Sequence, residues 1–130
     1  MAHTPEKILA LLPLLDEQIA DELETESLDF KECSTETKLR ELAKEMAICL
    51  GNASGGTVVF GVRERALGCD KAIIGIDFAP DLEALNAILY DSIDPKLPVQ
   101  FEWLMYGSRR LLLMHVNSSM PPYTTTSGKG

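Results

Sequence analysis

Apolar residues recur at three- and four-residue steps through Ile8, Leu11, Leu12, Leu15, Ile19 and Leu23. That spacing predicts a helix over residues 5–22, opened by Pro5 and kinked or split at Pro13. Leu28 and Phe30 alternate with Asp29 and Lys31, which predicts a strand within 25–31. Ser34-Thr35-Glu36 supplies a hydroxyl cap and a first-turn acid for the clearest helix, whose stripe is Leu39, Leu42, Ala43, Met46, Ala47 and Leu50. It stops in the glycine-rich run 51–56, and the β-branched stretch 57–62 follows as a buried strand, with 72–76 as a second. Asp81 caps a helix carrying Leu82, Leu85, Ile88, Leu89 and Ile93, ended by Asp94-Pro95. Residues 98–106 and 110–116 read as a hairpin about Gly107-Ser108, and 118–130 as loop or tail. This order predicts an α+β fold: a mixed, largely antiparallel sheet with two to three packed helices.

Composition refines that picture in three ways. At 130 residues and 14.3 kDa, one domain is expected. No apolar run reaches the roughly 18 residues of a membrane helix, the first residues lack a basic leader, and three cysteines show no CxxC spacing, so a cytoplasmic protein without membrane association is expected. Net charge is −8, but residues 1–32 hold nine acids and two bases, while 33–130 hold eleven acids and ten bases. The organisation expected is an acidic N-terminal helical arm (1–22), a main domain (23–123), and a polar tail (124–130) continuing into a longer protein. An acidic chain argues against a whole-surface polyanion binder but leaves room for a local basic face.

Candidate chemistry is sparse. The run 51–56 follows a helix C-terminus, where the dipole disfavours a phosphate, so Asn52, Gly55 and Gly56 read as a structural turn. Glu24, Glu26, Asp29 and Glu32 have the chemistry for Mg²⁺ or Mn²⁺. Strand alternation, however, places Glu24 and Glu26 on the side of Leu28 and Phe30 and Asp29 on the other, so no cluster is expected and no metal set is assigned. Two basic groupings stand out. Lys31, Arg63 and Arg65 lie on or after strands that can be neighbours, and Arg109 and Arg110 sit at a hairpin tip near Tyr106 and Trp103. His115 and the cysteines Cys33, Cys49 and Cys69 read as structural.

The segment Glu24-Thr25-Glu26-Ser27-Leu28-Asp29-Phe30-Lys31 resembles the E-(x)-E-S-x-x-E-F-K opening of the Schlafen/AlbA-like domain. Asn52 to Val62 resembles its A-N-(S/T)-x-G-G-x-(hydrophobic)-x-x-G-V core, and Gly75 after Ile73-Ile74 its I-x-G turn. The likeness covers about residues 23–123. It implies a mixed α+β domain at the N-terminus of a longer bacterial or archaeal protein, of a kind associated with transcriptional regulators and DNA-helicase relatives. The leading expectation is therefore a DNA-binding module of a transcriptional regulator without enzymatic chemistry or cofactor. DNA or RNA would be held weakly and salt-dependently through Lys31, Arg63, Arg65, Arg109 and Arg110. Some animal Schlafen proteins are nucleases with three acids. The resemblance puts two on Glu24 and Asp29, and the third near Arg63-Glu64, where an arginine stands at the expected position. The alternatives are thus a divalent-metal-dependent nuclease with Glu24, Asp29 and Glu64, or a homodimerisation or protein-interaction domain. ATP binding lacks a Walker lysine.

Overall fold

A computed structural model of the chain describes residues 3–118 and 121–126. Thr4 caps the first helix, α1 (Pro5–Leu11), its hydroxyl accepting from the Lys7 amide at 3.3 Å. Pro13 divides the segment as expected: Leu12–Asp16 continues as a 3₁₀ turn, and α2 (Ala20–Leu23) follows separately. The strand β1 (Leu28–Lys31) leads to α3 (Glu36–Asn52), capped by Thr35. Then come β2 (Gly56–Phe60), α4 (Cys69–Ala72) and α5 (Leu82–Ser92), the last capped by Asp81. The short β3 (Ile93–Asp94), the hairpin β4 (Val99–Tyr106) and β5 (Arg109–Val116), and β6 (Thr124–Thr125) complete the chain.

The main sheet runs β1-β2-β5-β4, with β1 parallel to β2 and the other pairs antiparallel. It is the mixed, largely antiparallel sheet that the sequence predicts. Both faces are covered. Val58, Phe60, Leu112, Met114 and Val116 meet α3 and α5 on one face. Leu28, Phe30, Val59, Leu111 and Leu113 meet the N-terminal segment and α4 on the other. Ile8, Leu12, Leu15 and Ala20 are fully buried there, so residues 5–20 lie against the sheet as part of the body. Each such Leu or Ile contributes about 1.5–3 kcal/mol by burial.

Three expectations need correction. Residues 72–76 are not a strand. The chain enters α4, and a lone bridge, Val62 to Ile73, replaces the ladder. Gly61 and Gly75 adopt φ of +113° and +76°, and the amides of Ile74 and Gly75 both donate to the Gly61 carbonyl (3.0 and 2.9 Å), so the chain crosses itself there. Residues 118–130 are not all irregular tail: β6 pairs with β3, and Tyr123 is buried against Gly51 and Leu97. The remainder, 119–120 and 127–130, lies outside the described residues. Cys49 is exposed, whereas Cys33 is buried as expected of a small core residue. Among the described residues, no helix is long and apolar enough to cross a membrane.

Candidate functional site

The chain between α2 and β1 turns sharply. Thr25 and Leu28 exchange backbone hydrogen bonds (3.0 and 3.4 Å), and the Thr25 hydroxyl accepts from the Ser27 amide at 3.2 Å. The turn folds Glu24 back beside β1, whose outer edge has no strand partner among the described residues. There Glu24 Oε2 accepts the Phe30 amide at 2.9 Å. The expectation that Glu24 follows strand alternation is therefore wrong, because the strand begins only at Leu28 and Glu24 caps α2 instead.

Two backbone links bring a third segment in. The Gly61 and Val62 amides donate to the Lys31 carbonyl (2.8 and 3.2 Å), and the Asp21 amide donates to the Glu64 carbonyl at 2.9 Å. As a result Asp21, Glu24 and Glu64 place carboxylate oxygens within 4.8 Å of one another. Lys31 Nζ stands 3.7 Å from Asp29 Oδ1 and 3.4 Å from Glu64 Oε2. Three acids, Asp29, Glu64 and Glu24, thus act on one ammonium group, and Asp21 pairs with Arg65 instead.

The crowding shows in protonation. Glu24 is pushed up to about 9, first by burial and then by its hydrogen bond to Asp29 and the charges of Asp29 and Glu64. The Phe30 amide acts against this without offsetting it. Burial acts to lower Lys31, but Asp29 and Glu64 outweigh it and hold the ammonium above its ordinary value. At neutral pH Glu24 therefore keeps its proton. Asp29 Oδ1 is buried and, among the described residues, makes no hydrogen bond but an ion pair with Lys31 at 3.7 Å. The carboxylate oxygens of Asp21, Glu24 and Glu64, brought together from two segments, are hard donors of the kind that Mg²⁺ or Mn²⁺ takes, so these residues fit a divalent cation.

The five basic candidates fall into two groups. Lys31, Arg63 and Arg65 gather near Glu64. Arg63 reaches Glu32 at 3.4 Å and Arg65 reaches Asp21 at 3.7 Å, with side chains 51% and 83% exposed. Arg63 therefore points away from the acids, and Glu64 takes the inward place that alignment by sequence gave to an arginine. Arg63, Glu64, Arg65 and Glu32 line a concavity of about 410 Å³. Arg109 and Arg110 line a separate one with Gly75 and Asp77. Arg109 donates to the Ile73 carbonyl (3.0 Å). Arg110 donates to that of Phe78 (2.6 Å), its guanidinium 4.1 Å from the Trp103 ring centre. Glu26 is exposed and Glu32 pairs outward, so neither joins the cluster. Sequence reasoning missed Asp21, whose place one helical turn before Glu24 was the available signal.

The glycine-rich run makes a turn. A Cβ on Gly56 would stand 2.5 Å from the Ser27 carbonyl oxygen, and the Gly55 amide donates to Leu50 at 2.6 Å. Asn52 clasps Tyr123, donating to its carbonyl (3.1 Å) and accepting from its amide (2.6 Å).

Comparison with known proteins adds to this geometry. A family model described as Schlafen, AlbA_2 matches residues 24–130. The fold is similar to that of the DIP2311 protein from Corynebacterium diphtheriae (TM-score 0.56, 23% identity), covering 94% of this chain and 24% of that one. It is also similar to the N-terminal domain of an ATP-dependent DNA helicase RecG-related protein from Nitrosomonas europaea (TM-score 0.59, 17% identity), covering 98% of this chain and 83% of that one. The chain therefore spans about a quarter of the Corynebacterium protein. No curated protein matches the sequence.

Proposed function

The chain belongs to the Schlafen, AlbA_2 family, and from that premise we propose that it is a nucleic-acid-directed module whose carboxylate cluster supports divalent-cation-dependent hydrolysis of the phosphodiester backbone. The observation that carries this reading is the convergence of Asp21, Glu24 and Glu64 with Asp29 and Lys31 from three chain segments. The name of the RecG-related structural neighbour, a DNA helicase relative, accords with nucleic acid as the target.

Asp21, Glu24 and Glu64 would hold the cation, with Asp29 beside them. When bound, such an ion polarises a phosphoryl oxygen and acidifies a bound water. Glu24 would have to give up its proton to ligate a cation, so occupancy would rise with pH. Lys31, an ammonium point charge beside Glu64, would offer its charge to a phosphate oxygen if a cation were held by Glu64. The exposed Arg63 and Arg65 contact flanking phosphates, contributing affinity without reading sequence.

The test is incubation of structured RNA and of single-stranded DNA with Mn²⁺. Cleavage is expected, with Glu24→Ala and Glu64→Ala each losing at least 100-fold in rate. Cleavage that survives both substitutions, or no cleavage of either substrate, overturns the proposal.

A second reading, favoured by the exposure of Arg63 and Arg65, is metal-free binding as the DNA-binding module of a transcriptional regulator. Lys31, Arg63, Arg65, Arg109 and Arg110 would contact the backbone, with no chemistry. It predicts binding in EDTA that weakens steeply with salt. A log K that stays flat against log salt rules it out.

A further inference from the structure

The sheet edge opposite the carboxylate cluster is β4, eight residues long, paired with β5 on one side and with no strand on the other among the described residues. A groove runs along this edge against α5. One concavity of about 400 Å³ is lined by Tyr90, Asp91, Leu97 and Pro98, and a second of about 440 Å³ by Gln100, Phe101, Glu102 and His115. Asn86 and Val99 line both, so the two are continuous. An unpaired strand edge beside a helix offers backbone donors and acceptors to an extended segment, and alternate pockets for its side chains.

Charge selects the occupant. Among the described residues the charged side chains lining the groove are Asp91 and Glu102, and one cation, Lys96, stands at its Tyr90 end. Glu102 is also oriented. The His3 amide donates to the Thr57 hydroxyl (2.8 Å), that hydroxyl pairs with His115 Nδ1 (2.9 Å), and His115 Nε2 pairs with Glu102 Oε2 (2.5 Å). Thr57 is fully buried and His115 nearly so, whereas the Glu102 side chain is 42% exposed. A carboxylate held at one oxygen and open at the other is set to accept a charge-assisted hydrogen bond. At the far end, Lys96 Nζ donates to the Tyr90 carbonyl (2.9 Å) and stands 4.8 Å from the ring centre, so that end holds its own cation and the peptide's basic side chain falls to Glu102.

We infer that the groove between α5 and β4 docks an extended basic peptide segment, which adds as a fifth strand to β4 and places a lysine or arginine on Glu102. Tyr90, Leu97 and Val99 cover its apolar side chains, and the amides of Asn86 and Gln100 meet its peptide groups. A polyanion is repelled from this face, which separates it from the proposed nucleic-acid end.

The probe is a fluorescein-labelled Thr-Val-Lys-Val-Lys-Val-Thr peptide, with a counterpart carrying glutamate for both lysines. Fluorescence anisotropy is expected to show saturable binding of the lysine peptide, at least tenfold tighter than the glutamate peptide and weakened by salt. Amide exchange along β4 slows on binding. Glu102→Gln lowers the affinity at least fivefold. Asn86→Lys, on an exposed helix position that leaves the His115 network intact, lowers it at least as much. Equal binding of both peptides, no binding of either, or indifference to Asn86→Lys overturns the inference. So does a homodimer by light scattering in which the β4 amides are already protected, because a second copy then occupies the edge.

Discussion

The two edges of the main sheet are treated in opposite ways. At β1, the Glu24 carboxylate folds back onto the Phe30 amide, and the charged residues Asp29 and Lys31 occupy the strand. At β4, eight residues present an edge that no strand covers among the described residues, beside a groove. An edge strand is a liability for unwanted pairing, and charge or a covering group is the usual remedy. Closing β1 with a carboxylate has a second effect here, because burial and the neighbouring acids make the same side chain hold its proton well above the ordinary carboxylate range. The lesson is that protecting an edge and building a charged site can be one structural act, while the opposite edge keeps the capacity to bind.

The largest expected effect breaks the closed edge at its root. Phe30 is fully buried in the face carrying α1, so Phe30→Ala should cost about 3–5 kcal/mol in urea unfolding. Trp103→Ala on the open edge removes a partly buried ring and its contact with Arg110, and should cost less, about 1–2 kcal/mol. Equal costs would mean that β1 is no better anchored than β4. Next comes Gly56→Ala. Its methyl group would meet the Ser27 carbonyl at 2.5 Å and push β1 from β2, for about 2–3 kcal/mol and a faster loss of amide protection in β1 than in β4.

The third prediction concerns pH. Glu24 has a native value of about 9 against an ordinary 4.5, so between those values the folded chain holds more protons than the unfolded chain. Stability from this residue is present in full below 4.5, falls as pH rises, and is lost above 9. Urea midpoints measured from pH 5 to 9 should decline, and Glu24→Gln should flatten that slope while keeping a side-chain acceptor for Phe30. An unchanged slope in the variant would assign the pH dependence elsewhere. The smallest effect is Arg65→Ala, which removes a surface pair with Asp21 and should change stability by less than about 1 kcal/mol.

Much of the scaffold was legible in the chain because local rules agreed with tertiary ones. Pro13 divided the first helical segment, Thr35 and Asp81 capped α3 and α5, and Gly107 turned the hairpin. The stretch 72–76 misled because its β-branched residues suit a strand, while the left-handed glycines at 61 and 75 redirect the backbone. The cluster was only half legible. Glu24, Asp29, Glu64 and Lys31 could be named, but a period-two reading run through residues 25–27 scattered them, and no local pattern reveals a reversal held by a Thr25–Leu28 bridge. Asp21 joined through a backbone bond to Glu64, a contact across 43 positions that propensity does not encode.

The placement of Ile8, Leu12, Leu15 and Ala20 has a practical corollary. Family likeness starts at residue 24, yet the smallest piece able to hold its shape starts near Pro5. A fragment trimmed to the homologous stretch would bare Leu28, Phe30, Val59 and Leu113 to water and forfeit the Asp21–Glu64 stitch. Such a trimmed protein should come out of cells as aggregate, and any inactivity measured on it would report a missing layer rather than a missing function.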